Sequence, residues 1–117
     1  MSVWFVEEFL PQFKDKRVLE LGAGPGLCGF IAARQAKMVV LTDYMEIVMD
    51  LIDKNMAECN PRPNKCAMFA AQLDWDKMEY PEFFDRLEYT NPDKCVEGKF
   101  RDLEFDMIIG SDVVYWP

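Results

Sequence analysis

Glu20-Leu21-Gly22-Ala23-Gly24-Pro25-Gly26 is the stretch on which the reading of this chain turns. The residues before it, Arg17 to Leu21, read as a short strand. Those after it, to about Ala36, put Leu27, Phe30 and Ile31 on the buried side of a helix. A strand that runs into Gly-x-Gly-x-Gly and opens a helix serves a physical purpose. Glycines let the backbone turn sharply and let a ligand approach the main chain with no intervening Cβ. The helix N-terminus beyond offers unpaired N–H groups and a partial positive charge, and Pro25 suits its first turn.

Working outward, Val3, Val6, Phe9 and Leu10 predict a short helix over residues 3–10, stopped by Pro11. Met38 to Thr42 is a second strand whose continuous apolar character suits a buried parallel position. Asp43 or Tyr44 opens a further helix, in which Val48, Leu51, Ile52 and Met56 recur at helical spacing before Asn60-Pro61-Arg62-Pro63 ends it. Cys66 to Leu73 is a third strand and leads to Asp74-Trp75. Residues 77–100 mix Pro, charges and aromatics and predict an inserted loop with one short helix. Phe105 to Gly110 is a fourth strand, followed by Ser111-Asp112-Val113-Val114-Tyr115. The alternation predicts one α/β domain over residues 1–117, with a Rossmann-like, doubly wound parallel sheet.

Composition narrows the function classes. Half of the 117 residues are hydrophobic, with nine Phe and eight Met, so a sizeable core is available. The net charge of -8 argues against nucleic-acid binding, which relies on Lys and Arg neutralising phosphates. An acidic surface either steers a basic substrate toward the protein or simply keeps it soluble. Histidine is absent, and Cys28, Cys59, Cys66 and Cys95 form no C-x-x-C pair. That disfavours a Cys/His metal site and any mechanism needing a His base. Scattered thiols, no apolar run long enough to cross a bilayer and no signal-peptide layout at the start predict a cytoplasmic or nuclear protein with no membrane partner.

Two cofactor classes use such a glycine loop. Gly24-Pro25-Gly26-Leu27-Cys28-Gly29 literally matches the G-x-G-x-x-G of nicotinamide enzymes. In that fingerprint, however, the first glycine follows the strand directly, whereas here Glu20-Leu21-Gly22 comes first. Asp43, after the second strand, is placed either to hold both ribose hydroxyls or to cap the next helix.

Taken together, Val18 to Gly29, Leu41-Thr42-Asp43, Leu73-Asp74-Trp75 and Ser111-Asp112-Val113-Val114-Tyr115 resemble the family 16 group of seven-strand, S-adenosylmethionine-dependent methyltransferases. Many members of that group methylate protein lysines. The resemblance covers nearly the whole chain apart from 77–100. It implies S-adenosylmethionine as cofactor, S-adenosylhomocysteine as product and a protein as methyl acceptor. Gly22, Ala23 and Gly24 would line the methionine and ribose, and Glu20 would organise the loop and the cofactor's amino group. Asp43, with Tyr44 beside it, would hold the ribose. Trp75 would pack near the adenine, with Asp74 accepting from its exocyclic amine. Ser111 would touch the cofactor through its backbone, and Trp4 would border it; Trp4 and Trp75 also read as ordinary core residues. Asp112 and Tyr115 would meet the substrate amine. The sheet of that family runs in the order 3-2-1-4-5-7-6, of which this chain supplies strands one to four. Phe105 to Tyr115 is apolar on both faces and reads as a central strand, so the rest of the domain or a partner strand is expected at its outer edge. The competing expectations are a non-catalytic methyltransferase-like binding module and a nicotinamide-dependent oxidoreductase.

Overall fold

The computed structural model describes residues 10–23, 27–58, 66–77 and 79–110. Four strands, β1 (Arg17–Glu20), β2 (Met38–Asp43), β3 (Ala67–Gln72) and β6 (Met107–Ile109), run parallel. Two more, β4 (Glu88–Thr90) and β5 (Val96–Lys99), form an antiparallel hairpin on the outer side of β3. The full order is β5-β4-β3-β2-β1-β6. Helices α1 (Leu27–Ala32) and α2 (Glu46–Glu58) connect β1 to β2 and β2 to β3, and α3 (Pro81–Arg86) lies between β3 and the hairpin.

The sheet divides two cores. On one face Val18, Val39, Leu41, Met68 and Ala70 pack with Ala32 of α1 and with Met49, Ile52 and Met56 of α2. On the other, Leu19, Val40 and Ala71 meet Phe100, with Phe84, Leu87 and Phe105 packed around it. Alternate residues of β1 and β2 thus serve opposite faces, which is why Val18-Leu19 and Met38 to Leu41 are unbroken apolar runs. Successive parallel strands move outward from β1 to β3, and the chain then returns to the other side of β1 as β6. The direction of winding therefore reverses between β1 and β6, the place where open α/β sheets bind ligands beyond the carboxyl ends of their strands.

The Rossmann-like architecture is the expected one, and several boundaries differ. Residues 77–100 hold the expected short helix and the β4–β5 hairpin, so among the described residues the sheet has six strands rather than four. The hairpin forms because Asn91 closes a turn: its Oδ1 accepts from the N–H groups of Asp93 and Cys95, and its own N–H donates to the Cys95 carbonyl. Pro11 sits inside a 3₁₀ turn over Leu10–Phe13, where its missing N–H is not needed. Most of the predicted helix over 3–10 lies outside the described residues.

Helix α1 ends at Ala32 rather than near Ala36, because the next turn is taken up by Asp15, whose N–H donates to the Gln35 carbonyl. Helix α2 starts at Glu46, not at Asp43 or Tyr44, since the Asp43 side chain holds the two residues after it in a turn. Leu51 faces solvent and Met49 takes the core position beside Ile52 and Met56. The fourth parallel strand is confined to Met107–Ile109, and among the described residues it is an edge strand with Ile108 64% exposed.

What fixes β6 beside β1 is an ionic clamp at their starts. The Arg17 guanidinium donates to both carboxylate oxygens of Asp106, at 3.0 and 3.1 Å, and to Glu104 at 3.1 Å. The Arg17 backbone N–H also donates to Asp106, and the Asp106 N–H returns a bond to the Arg17 carbonyl. This fork holds the Asp106 carboxyl well below the usual range, down to about 2.

Candidate functional site

At the carboxyl ends of the parallel strands the chain is tied down residue by residue. Gly22 takes a φ of 61°, the left-handed turn that ends β1. The Leu21 N–H donates to the Ile109 carbonyl of β6, and the Ala23 N–H to the Thr42 carbonyl of β2. The Thr42 hydroxyl donates back to the Glu20 carbonyl at 2.6 Å. The start of the glycine loop is thus stitched to both neighbouring strands, and Ala23 is buried beneath it.

Glu20 is fully buried, and its Oε1 accepts from the Gly29 N–H in the first turn of α1 at 2.9 Å. A helix start has N–H groups with no intrahelical partner, and here a carboxylate from the preceding strand satisfies one of them. Gly29 is required by the same contact. A Cβ on it would lie 2.1 Å from Leu41 Cδ2 and 2.8 Å from Glu20 Oε1, so only glycine lets α1 sit this close to β1 and β2.

Asp43 ends β2, half-buried, and its Oδ1 accepts from the N–H groups of Tyr44 and Met45 at 2.8 and 3.2 Å. The turn it makes precedes the helix rather than capping it. Gln72, at the matching position of β3, donates from Nε2 to the Tyr44 carbonyl, and the Leu73 N–H donates to the Asp43 carbonyl. Asp74 follows, half-buried, accepting from the Asp76 N–H ahead of a 3₁₀ turn over Trp75–Lys77. Tyr44 is largely exposed, 63%.

The structure therefore brings Glu20, Gly22, Ala23, Asp43, Tyr44 and Asp74 to one end of the sheet. Trp4, Gly24, Ser111, Asp112 and Tyr115 lie outside the described residues, as does the side chain of Trp75. Sequence reasoning missed Thr42, Gln72 and the packing role of Gly29. Only the last had a signal, as the third glycine of the literal G-x-G-x-x-G. Among the described residues no group of three acidic, Cys or His side chains could hold a metal ion, and no helix is long and apolar enough to cross a membrane.

Two hydrogen bonds at the described part of the loop bear on the two cofactor classes. A dinucleotide needs free N–H groups at the loop and at the helix N-terminus for its pyrophosphate. Here the Ala23 N–H is spent on the Thr42 carbonyl and the Gly29 N–H on the buried Glu20 carboxylate. Fold and loop together define a Rossmann-like α/β domain with its glycine turn at the carboxyl end of β1.

Comparison with known proteins makes the class specific. The lysine methyltransferase family matches residues 2–117, and the chain belongs to that family. It is 32% identical over 111 residues to protein N-lysine methyltransferase METTL21A of Danio rerio, covering 95% of this chain and 42% of that protein. It is 28% identical to EEF1A lysine methyltransferase 3 of Xenopus tropicalis, over 95% of this chain and 40% of the relative. The calmodulin-lysine N-methyltransferase of Arabidopsis thaliana is likewise 28% identical, over 97% of this chain and 32% of its own length. The chain thus spans less than half the length of these relatives.

Proposed function

We propose that the complete protein transfers a methyl group from S-adenosylmethionine to a lysine side chain of a protein substrate. The observation that carries this reading is the buried Glu20 carboxylate bound to the Gly29 N–H, which favours a cationic cofactor at the glycine loop over a pyrophosphate. Family membership and the names of the relatives support the reaction class.

S-adenosylmethionine would supply a methyl group already activated on a sulfonium, so no covalent intermediate with the protein is needed. Gly22, Ala23 and Gly24 would form the bed under its methionine and ribose, with Asp43 on the ribose hydroxyls and Tyr44 beside it. Asp74 and Trp75 would hold the adenine, and Trp4 and the Ser111 backbone would border the cofactor. The remaining task is alignment of amine, carbon and sulfur, and orientation of that kind contributes roughly 7–11 kcal/mol in well-positioned systems. Asp112 and Tyr115 would orient the amine, with Asp112 offsetting the positive charge that develops on it. A nearly dry channel would favour the neutral, nucleophilic lysine.

The test is transfer of radiolabelled methyl groups to protein lysines by the complete protein and by Asp112→Ala. The account expects label on lysine from the parent and at least a hundredfold less from the variant, with cofactor affinity retained, on the order of what a positioned polar group contributes. Equal turnover by the two proteins would remove Asp112 from the reaction.

A further inference from the structure

Away from the glycine loop, α2, β3, α3 and the β4–β5 hairpin enclose a cleft of about 620 Å³. It exists because β4 pairs with β3 at a single position, Ala70 opposite Thr90. Gln72 and Glu88, two residues further along the two strands, do not pair, and both line the opening. Ala70 and Ala71, which serve opposite faces of the sheet, both reach it, and Phe83, Leu87 and Val96 add apolar wall.

The charge of this cleft is one-sided. Glu46, Asp50 and Asp53 of α2, Glu82 of α3 and Glu88 of β4 line it, against one cation, Arg86. Lys94 engages Asp50 at 3.6 Å and Lys99 engages Glu88 at 3.3 Å. No ion pair among the described residues reaches Glu46, Asp53 or Glu82. Asp53 Oδ1 is buried without a hydrogen-bond partner. Burial pushes the Asp53 carboxyl up, Lys94 pulls it the other way, and Asp50 adds to the rise. A cationic side chain entering the cleft would supply what Asp53 lacks.

The cleft also adjoins the loop site. Gln72 lines it and at the same time donates to the carbonyl of Tyr44, the residue after Asp43. A polypeptide lying in the cleft would run on toward the end of the sheet where the methyl donor is expected.

We propose that this cleft docks a lysine- or arginine-bearing segment of the protein substrate, beside the place of methyl transfer rather than in it. Apolar walls take the aliphatic stems of such side chains, and the unpaired carboxylates take their charged ends. The net charge of -8 draws the same partner from a distance. The identity of the occupant as a methylation substrate rests on the lysine methyltransferase reading; the basic character of the occupant does not.

The experiment is anisotropy of a short labelled oligolysine peptide titrated with the full chain, alongside a separate S-adenosylmethionine titration. Glu46→Gln/Glu82→Gln removes two exposed carboxylates of the cleft without touching the core. Asp15→Asn/Glu58→Gln removes as many exposed carboxylates at the opposite end of the sheet. The cleft variant should weaken peptide binding about fivefold, the effect of two surface charge pairs, and the control less than about twofold. Equal weakening in both variants, or no saturable binding by the parent, would overturn the proposal. The cofactor titration keeps the outcomes apart, since a failed cleft leaves it unchanged and a failed cofactor reading leaves the peptide result standing.

Discussion

Gly29 and Gly98 sit in two regions that hold themselves together differently. Around Gly29, a Cβ would meet Leu41 Cδ2 at 2.1 Å and a buried Glu20 oxygen at 2.8 Å, neither with room to move. Around Gly98, in β5, a Cβ would meet only the ring of the half-buried Tyr89, at 3.1 to 3.4 Å. The first region is closed by backbone approach and fully buried side chains. The second, from Tyr80 to Phe105, is held by an aromatic cluster of Phe84, Phe100 and Phe105 and by exposed ion pairs such as Arg101 with Asp85 and Lys99 with Glu88. Among the described residues, the end of the sheet expected to hold a cofactor is closely packed, and the segment that shapes the cleft is held by more exposed contacts.

The sharpest way to break this contrast is Glu20→Ala. It leaves a buried Gly29 N–H unsatisfied and opens a void, so it should cost about 3 kcal/mol in chemical denaturation, while Glu20→Gln, which keeps an acceptor, should cost about 1 kcal/mol. Near-equal losses would deny Glu20 its tie to α1. Next comes the glycine pair. Overpacking offset by the helix preference of alanine makes Gly29→Ala cost about 2 kcal/mol, a fall in melting temperature on the order of 10 °C. Gly98→Ala should stay within about 0.5 kcal/mol, because an adaptable ring can yield. A larger loss at Gly98 than at Gly29 would reverse the comparison.

The smallest effect belongs to the clamp between β1 and β6. The Arg17 hydrogen bonds lower the Asp106 carboxyl from 3.8 to about 2, so its stabilisation is complete above about pH 4 and disappears as pH falls through 2. Melting temperatures of the parent and Asp106→Asn should therefore differ at pH 5 and converge toward pH 2. A difference that persists undiminished in acid would assign the clamp to packing instead.

This division also decides what was legible. Gly22, Glu20 and Asp43 could be placed from spacing alone, because a strand ending in a tight turn under a helix constrains its neighbours locally. The continuous apolar run of β2 marked a buried parallel strand for the same reason. The hairpin was not legible: Val96-Glu97-Gly98-Lys99 lacks strand character, and it is a strand because β4 offers it a partner. Asn91-Pro92-Asp93 was a turn signal, but without a strand pattern on either side it did not announce a hairpin. The Arg17–Asp106 fork joins residues far apart in sequence, and nothing local to either announces the other. Helix α2 shows the same limit, since the turn made by Asp43 moved its start to Glu46.

The central claim is that the loop after β1 serves a methyl donor and not a dinucleotide. Calorimetric titration of the chain with S-adenosylmethionine, S-adenosylhomocysteine and NAD tests it most directly. The account predicts saturable heat with both adenosyl compounds, its loss in Asp43→Ala, and none with NAD. Binding of NAD with no response to the adenosyl compounds would contradict it.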